Sequence, residues 1–143
     1  MKLLSDVNVL LALAAECHTR HAEVRHWWEG RPQDESLYVC RPVQMALLRL
    51  MSSEAALGPD AVTLPSAWAL YAAMLASGRF SFTLEPPEFE AAWEILCRPF
   101  RRSPKVVMDA YLAAFARAGG FRLVTLDQAF SQFPGLDYML IGG

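Results

Sequence analysis

The chain has 143 residues, which suits one domain with a single core. Its formal net charge of -2 and pI near 5.9 exclude a protein that coats nucleic acid by bulk attraction, so any nucleic-acid contact requires a local basic patch. Hydrophobic residues make up 54% of the chain, which is high for this size and favours a buried oligomer or partner surface.

Strand and helix patterns alternate along the chain. In order, they predict a strand at 3–4, helices at 9–14 and 19–29, a strand at 37–40, helices at 43–51 and 66–77, a strand at 80–83, a helix that follows 85–88 and ends near 97, a helix at 106–118, and strands at 121–125 and 138–141. This alternation predicts βαβ crossovers. We therefore expect an α/β fold with a mostly parallel sheet of about five short strands, helices on both faces, and a single domain over residues 1–143.

Cysteine usage and the apolar segments indicate where the protein resides. The three cysteines are odd in number and lack CxxC spacing, which argues against a disulfide framework and a zinc site. The opening residues imitate a signal peptide, but Asp6 and Asn8 interrupt its apolar centre. The uncharged segment 61–76 is shorter than the roughly 20 apolar residues that span a bilayer. We expect a cytoplasmic protein with no membrane segment.

Asp6 interrupts an otherwise apolar opening, between a short strand and a helix. Burying an ionised carboxylate without partners costs several kcal/mol, so Asp6 must be a helix cap, an ion-pair partner or a metal ligand. Either Asp6 or Asn8 is placed to cap the helix that follows. Asp127 stands at a similar turn, and capping alone accounts for each aspartate singly.

Three aspartates are expected at one edge of the sheet. Asp109 lies near the start of a helix that descends about 15 Å, and the next strand climbs back by a similar height to Asp127. Asp6 also follows the end of its strand. Such convergence costs repulsion unless a cation or a proton neutralises it. Oxygen ligands without a His or Cys cluster favour Mg²⁺ or Mn²⁺, which suits water activation at a phosphodiester.

Four segments resemble the PIN-domain ribonucleases, and most of all the VapC-type toxins of type II toxin–antitoxin systems. They are LLSDVNVLLAL at 3–13, LLRL at 47–50, SPKVVMDAYLAA at 103–114 and LVTLDQAF at 123–130. Each segment is short, but their order and spacing are specific, and the resemblance covers nearly the whole chain. It implies a PIN-like three-layer α/β/α fold.

The resemblance also implies an activity and partners. Proteins of this kind are metal-dependent endoribonucleases that act on structured RNA, often as homodimers, and a cognate antitoxin covers the acidic site with its tail. By position, Asp6, Asp109 and Asp127 match the catalytic metal ligands, with Mg²⁺ or Mn²⁺ as cofactor. The polar residues that shape the family's pocket are matched in this chain by Asn8, Thr125 and Arg49.

One position departs from the family pattern. The family usually has a glutamate three residues before Arg49, and this chain has Ala46. Gln44 and Glu54 are the nearest polar substitutes. Residues 44 and 46 are about 200° apart on a helix, so Gln44 does not point where Ala46 points unless the helix register changes. We therefore expect a three-carboxylate site with one firm metal position and a weak second one.

A basic loop precedes the helix that carries Asp109. Its basic residues are Arg98, Arg101, Arg102 and Lys105. They are placed to rim the acidic edge and to hold RNA phosphates, and the alternative is an ordinary solvated loop.

Two other functions stay open on the sequence. One is a non-catalytic relic of the PIN fold that acts only by binding proteins, which the alanine at position 46 favours. The other is a phosphatase-like α/β domain with Asp6 as nucleophile. Such domains usually need a second aspartate where this chain has Asn8, and no late lysine is evident. No serine, cysteine or histidine pairing indicates another form of covalent catalysis.

Overall fold

The computed structural model describes residues 1–143 and contains one five-stranded sheet. The strands are β1 (Leu3–Ser5), β2 (Leu37–Val39), β3 (Phe80–Phe82), β4 (Arg122–Thr125) and β5 (Tyr138–Leu140). Their order across the sheet is β3-β2-β1-β4-β5, and every neighbouring pair is parallel. All five strands therefore end at the same side of the sheet, called here the carboxyl edge.

Seven α-helices connect the strands. They are α1 (Val7–Ala14), α2 (His21–Glu29), α3 (Arg41–Met51), α4 (Glu54–Leu57), α5 (Leu64–Ala76), α6 (Phe89–Cys97) and α7 (Pro104–Gly119), with short 3-10 helices at Gly58–Asp60 and Gln128–Gln132. Helix α1 packs on α2 and α3, α3 packs on α5, and α6 packs along α7. Right-handed crossovers place these two groups on opposite faces of the sheet, which confirms the three-layer α/β/α prediction.

The chain order creates a switch point between β1 and β4. From β1 the chain moves outward to β2 and β3, and it then crosses back to β4 on the other side of β1. The connections that leave β1 and enter β4 therefore lie on opposite faces, which leaves a crevice at the carboxyl edge where ligands bind in open α/β sheets. Asp6 directly follows β1, and Asp127 lies two residues beyond the end of β4.

The hydrophobic core fixes the elements that flank this crevice. It contains 33 buried residues, and every residue of β1 is buried. In α7 the run 110–116 is buried without interruption, as expected for a helix that is apolar around its circumference. Asp109 directly precedes this run, so a rigid segment of α7 holds its backbone in place.

The predicted order of strands and helices is confirmed, with differences at their ends. Asp6, rather than Asn8, caps α1 by accepting a hydrogen bond from the backbone N–H of Val7. Helix α5 begins at Leu64 instead of residue 66, because the side chain of Thr63 caps it. The short helix α4 is absent from the predicted elements, because four residues are too few to display a helical period.

Exposed apolar surface concentrates on α5. This helix has no charged residue, yet it buries only Ala67 and Tyr71. Leu64 and Trp68 are 55% and 52% exposed. The high hydrophobic fraction of the sequence is therefore found partly on the surface of this helix. None of the helices combines the length and apolar character needed to cross a membrane.

Candidate active site

Asp6 is a buried helix cap that also joins two strands. Its side chain is 8% exposed, and Oδ1 accepts a hydrogen bond of 2.7 Å from the backbone N–H of Val7. Oδ2 accepts a second hydrogen bond of 2.8 Å from the Thr125 hydroxyl, which lies at the end of β4. The backbone N–H of Asp6 donates to the carbonyl of Val124 at 2.9 Å. These contacts fix the carboxylate at the crevice between β1 and β4.

Thr125 connects Asp6 to Asp127. The Thr125 side chain is completely buried, and its hydroxyl oxygen accepts a hydrogen bond of 3.0 Å from the backbone N–H of Asp127 while its proton goes to Asp6. Asp127 in turn accepts at Oδ1 from the backbone N–H of Ala129, at 2.9 Å. One hydroxyl therefore sets the position of two carboxylates, and the predicted neighbourhood of Thr125 with Asp6 and Asp127 is present in the structure.

The Asp109 side chain approaches the same crevice from α7 and makes no hydrogen bond within the chain. Its Oδ2 atom is buried and has no hydrogen-bond partner. Burial raises the pKa of the Asp109 carboxyl; the nearby charge of Lys105 lowers it, and the charges of Asp127 and Asp6 raise it further. The three aspartates thus lie within electrostatic reach of one another, and Asp109 has oxygen acceptors that nothing in the chain uses.

Lys105 is the cation of this cluster. It lies one helical turn before Asp109 on α7, and its Nζ atom lies 2.9 Å from Oδ2 of Asp127. We predicted from the sequence that Lys105 would hold RNA phosphates at the rim of the site. In the structure, its ammonium instead pairs with Asp127. The hydrogen bond to Asp127 raises the pKa of the Lys105 ammonium, so Lys105 stays charged.

The pKa shifts divide the carboxylates into two kinds. Burial raises the pKa of Asp6, and the hydrogen bonds from Thr125 and Val7 oppose this effect. The backbone hydrogen bond from Ala129, followed by the contact with Lys105, lowers the pKa of Asp127. Asp127 is therefore stabilised as an anion within the chain. Asp6 and Asp109 carry a desolvation penalty that a bound cation would relieve.

Asp109 and Asp6 fit a hard cation by their chemistry. A buried carboxylate oxygen without a donor is the type of ligand that Mg²⁺ or Mn²⁺ takes in proteins. No group of three or more His, Cys, Asp or Glu side chains is assembled closely enough to hold a metal ion as it stands. Asp127 is engaged within the chain, since its two oxygens are bonded to Lys105 and to Ala129. Coordination by all three aspartates stays a prediction.

The other sequence candidates lie in different places. Asn8 is exposed in the first turn of α1, close to Asp6 in the chain. Gln44 is buried, and its amide oxygen accepts from Arg41 instead of meeting an aspartate. Helix α3 begins at the carboxyl edge and runs away from it at about 1.5 Å per residue, which puts Arg49 about 12 Å along the helix axis from Arg41.

Glu54 lies beyond the end of α3 and is exposed there, so it sits towards the opposite edge of the sheet from Asp6. Neither Gln44 nor Glu54 replaces the family glutamate in this arrangement, and Ala46 leaves its position without a polar group. Arg49 is also exposed and far along α3, so it does not shape the crevice. The direction of α3 accounts for Arg49 and Glu54, whereas Gln44 is held by its hydrogen bond from Arg41.

The basic loop does precede the start of α7 at the carboxyl edge. Arg101 and Arg102 are exposed and take part in no ion pair. Arg98 instead pairs with Glu94 of α6 at 2.7 Å, so its charge is already partly balanced. Two of the four predicted rim residues therefore keep unpaired positive charge in the loop that leads into α7.

Glu85 is a carboxylate of the same edge that the sequence reading missed. It follows β3 by three residues, and its Oε2 atom accepts a hydrogen bond of 2.8 Å from the Tyr111 hydroxyl of α7. The rule that located Asp6, a charged residue just past the end of a strand, also applies to Glu85 and could have identified it.

The PIN domain family matches residues 3–136 of the chain. This match spans all five strands and the three aspartates of the crevice. The chain therefore belongs to the PIN domain family.

Curated relatives give a closer assignment within that family. Ribonuclease VapC41 of Mycobacterium tuberculosis is 41% identical to the chain, over 97% of this chain and 98% of the relative. Ribonuclease VapC44 of the same organism is 32% identical, over 94% of both chains. These similarities group the chain with the VapC ribonucleases.

Solved structures share the fold. VapC20 of Mycobacterium tuberculosis, described as a sarcin-ricin loop cleaving toxin, matches with a TM-score of 0.66 and 22% identity, over 92% of this chain and 94% of that one. VapBC2 from Rickettsia felis matches with a TM-score of 0.69 and 14% identity, over 98% of each chain.

Replacing Thr125 with valine should destabilise the fold by about 1–3 kcal/mol, because Asp6 and the backbone N–H of Asp127 both lose a buried partner. Urea unfolding measures the difference in free energy of unfolding. Thr19→Val, at an exposed threonine without a side-chain hydrogen bond, is the matched control. Equal stabilities for the two variants would contradict the role given to Thr125.

Replacing Asp109 with asparagine should stabilise the metal-free protein increasingly as pH rises. Because the folded-state pKa of Asp109 exceeds its ordinary value of 3.8, the folded protein binds more protons than the unfolded chain between those values, and its stability falls with rising pH there. Asparagine does not titrate. Urea unfolding in chelator at several pH values from about 4 upward should show a difference from wild type that grows until the pH passes the raised folded-state pKa and then stays constant. A pH-independent difference would contradict the shift.

Proposed function

We propose that the protein is a metal-dependent endoribonuclease toxin that cleaves structured RNA and is neutralised by a cognate antitoxin. The observation that carries this proposal is the half-buried carboxylate of Asp109, whose buried Oδ2 atom has no hydrogen-bond partner and which lies within electrostatic reach of Asp6 and Asp127. The names of the VapC relatives support ribonuclease as the activity. The finer claim, that Mg²⁺ or Mn²⁺ is the cofactor, follows from the oxygen-only set of side chains.

Asp109 and Asp6 would hold the metal, with Asp127 as a third ligand once Lys105 releases it. A hard divalent cation in this crevice supplies an activated water and stabilises negative charge on the phosphodiester. The chain contributes the geometry: the Thr125 hydroxyl holds Asp6 in one orientation, and the buried part of α7 holds Asp109. Preorganised groups of this kind stabilise the transition state without reorganising.

Lys105 has a second task in this proposal. In the structure, its ammonium neutralises Asp127 and lowers the repulsion among the carboxylates. Its side chain is 69% exposed, so it can turn towards a phosphate oxygen when a cation replaces it at Asp127. Arg101 and Arg102 would extend this positive rim along the RNA backbone, because both are exposed and unpaired.

An antitoxin partner is supported by two solved neighbours that share the fold. One is the Rickettsia felis VapBC2 structure, and the other is a toxin–antitoxin complex from Klebsiella pneumoniae, with a TM-score of 0.61. The exposed Leu64 and Trp68 of α5 offer apolar surface for a partner protein or for a second copy of the chain. We also propose that the protein forms a homodimer and acts in the cytoplasm.

A non-catalytic relic is the second candidate function. Two observations favour it: Ala46 stands where the family has glutamate, and Lys105 already occupies an oxygen of Asp127. In a relic, the fold and its partner surface would persist without cleavage. The phosphatase-like alternative gains no support, because Asn8 stands where such domains usually need a second aspartate.

The cleavage test compares purified wild type with Asp6→Asn, Asp109→Asn and Asp127→Asn on structured RNA, with Mg²⁺, with Mn²⁺ and with chelator. We expect wild type to cleave RNA only when metal is present. The cleavage rate should fall about 100-fold or more in each variant, because each substitution removes a negative charge that attracts the cation. Asp34→Asn, at an exposed carboxylate without an ion pair, is the control. Metal-independent cleavage, or full activity in Asp109→Asn, would reject this mechanism, and inactive wild type would favour the relic.

Calorimetric titration with Mn²⁺ should reveal one tight ion per chain. Lys105→Met should bind Mn²⁺ more tightly than wild type, because the ammonium no longer competes for Asp127. Lys2→Met removes the same charge from an exposed lysine that bonds to Gly119, and it serves as the control. Two tight ions in wild type would contradict the single firm position.

Joint replacement of Arg101 and Arg102 with alanine should weaken RNA binding and reduce the slope of log affinity against log salt by roughly 1 to 2. Fluorescence anisotropy over a salt series measures this slope. Arg117→Ala, at an exposed arginine of α7 that donates to the Pro134 carbonyl, is the control. An unchanged slope in the double variant would remove these arginines from the RNA path.

A further inference from the structure

A cavity lies at the carboxyl edge beside the acidic crevice. Its volume is about 340 Å³, within the range of about 300–1,000 Å³ that is usual for small-molecule pockets. It is lined by residues of three segments: Arg41 at the start of α3, Phe82 and Glu85 around the end of β3, and Tyr111 and Phe115 of α7. None of these residues has a part in the proposed metal chemistry.

The acidic group of this cavity is the carboxylate of Glu85. The Tyr111 hydroxyl donates to its Oε2 atom at 2.8 Å and thereby anchors the side chain. Tyr111 is itself buried, and burial together with this hydrogen bond raises the pKa of its hydroxyl, which therefore keeps its proton. Glu85 makes no ion pair, and Oε1 accepts no hydrogen bond from the chain. The anchored carboxylate thus keeps acceptor capacity for a ligand.

A guanidinium group stacks on the aromatic wall of the cavity. The guanidinium of Arg41 lies over the ring of Phe82, with its Cζ atom 4.3 Å from the ring centroid. One arm of the guanidinium donates to Gln44, which fixes its direction. The remaining N–H groups are free to donate. Flat surfaces made of an aromatic ring or a guanidinium plane are those on which proteins stack unpaired RNA bases.

The cavity and the acidic crevice lie along the same edge of the sheet, with strand β2 between them. Asp6 follows β1 and Glu85 follows β3, and two strand spacings separate these strands by about 10 Å. Cys40, at the end of the intervening β2, interacts electrostatically with both carboxylates, and burial raises its pKa to about 11. A single-stranded RNA whose phosphate reaches Asp6 would therefore bring a nearby base to Glu85.

The donors and acceptors of the cavity distinguish among the bases. Guanine presents two N–H donors on its Watson–Crick edge, beside an acceptor oxygen, which suits an anionic carboxylate and a guanidinium. Adenine presents a ring-nitrogen acceptor at the central position of that edge, so its lone pair would face the Glu85 carboxylate. A good bidentate contact is worth about 1–3 kcal/mol of discrimination between bases.

We propose that this cavity is a specificity subsite that binds one unpaired guanine of the RNA substrate, stacked at Phe82 and Arg41 and hydrogen-bonded to Glu85. The proposal rests on the ribonuclease function above, and it adds a base preference at a nucleotide next to the cleaved phosphate. A protein side chain from a partner is the competing occupant. The positive charge of Arg41 and its stacked guanidinium plane favour RNA.

The test separates base recognition from cleavage. Fluorescence anisotropy in chelator measures the binding of Asp109→Asn to short oligouridylates that carry one central guanosine, inosine or adenosine. We expect the guanosine oligomer to bind about tenfold or more tightly than the adenosine oligomer, with inosine, which lacks the 2-amino group, in between. Adding Glu85→Gln should abolish this preference, so that the guanosine and adenosine oligomers bind equally.

Glu85→Gln keeps an oxygen that can accept from Tyr111, so the fold should persist, and thermal unfolding checks this. Glu90→Gln removes the same charge from an exposed residue of α6 and should keep the guanosine preference. Equal binding of all oligomers, with wild type still cleaving RNA, would overturn the subsite and leave the nuclease intact.

A guanosine preference without cleavage by wild type would support the subsite and reject the catalytic function. The absence of any RNA binding would overturn both. A Glu85→Gln effect confined to association with a partner protein would overturn the assignment of the cavity to RNA.

Discussion

A buried hydrogen bond from the Thr125 hydroxyl to the Asp6 carboxylate organises the acidic crevice. It joins the ends of the two central strands, which are 119 residues apart in the chain, and the same hydroxyl accepts from the backbone of Asp127. A hydroxyl is suited to this position because it donates and accepts at once. The parallel sheet brings the strand ends together, and Thr125 converts that proximity into fixed carboxylate positions.

Electrostatic imbalance gives the crevice its function. Asp6, Asp109 and Asp127 share one edge, and Lys105 is the ammonium that faces them. The lysine pairs with Asp127 and leaves the buried Oδ2 atom of Asp109 without a hydrogen-bond partner, so the folded chain holds negative charge that it does not fully neutralise. A bound cation would relieve the desolvation penalty of Asp6 and Asp109. The same imbalance accounts for the opposite pKa shifts of Asp109 and Asp127.

Much of the fold, and the proximity of Asp6 and Asp127, could be predicted from the sequence. Alternating strand and helix patterns gave the three-layer architecture, and the rule that parallel strands end at one edge brought Asp6 and Asp127 together. The side-chain partners could not be predicted in this way. The pairing of Lys105 with Asp127 depends on a rotamer, and the distance of Arg49 and Glu54 from the crevice depends on the direction of α3. Short motifs record neither property.

The most direct test of this account is the anomalous diffraction of crystals grown with Mn²⁺. We expect one strong manganese peak at the carboxyl edge, bound by the carboxylates of Asp109 and Asp6, with Lys105 turned away from Asp127. A peak that lies elsewhere, or a crevice without manganese in which Lys105 still bonds to Asp127, would contradict the claim that the unbalanced charge of Asp109 creates a metal site.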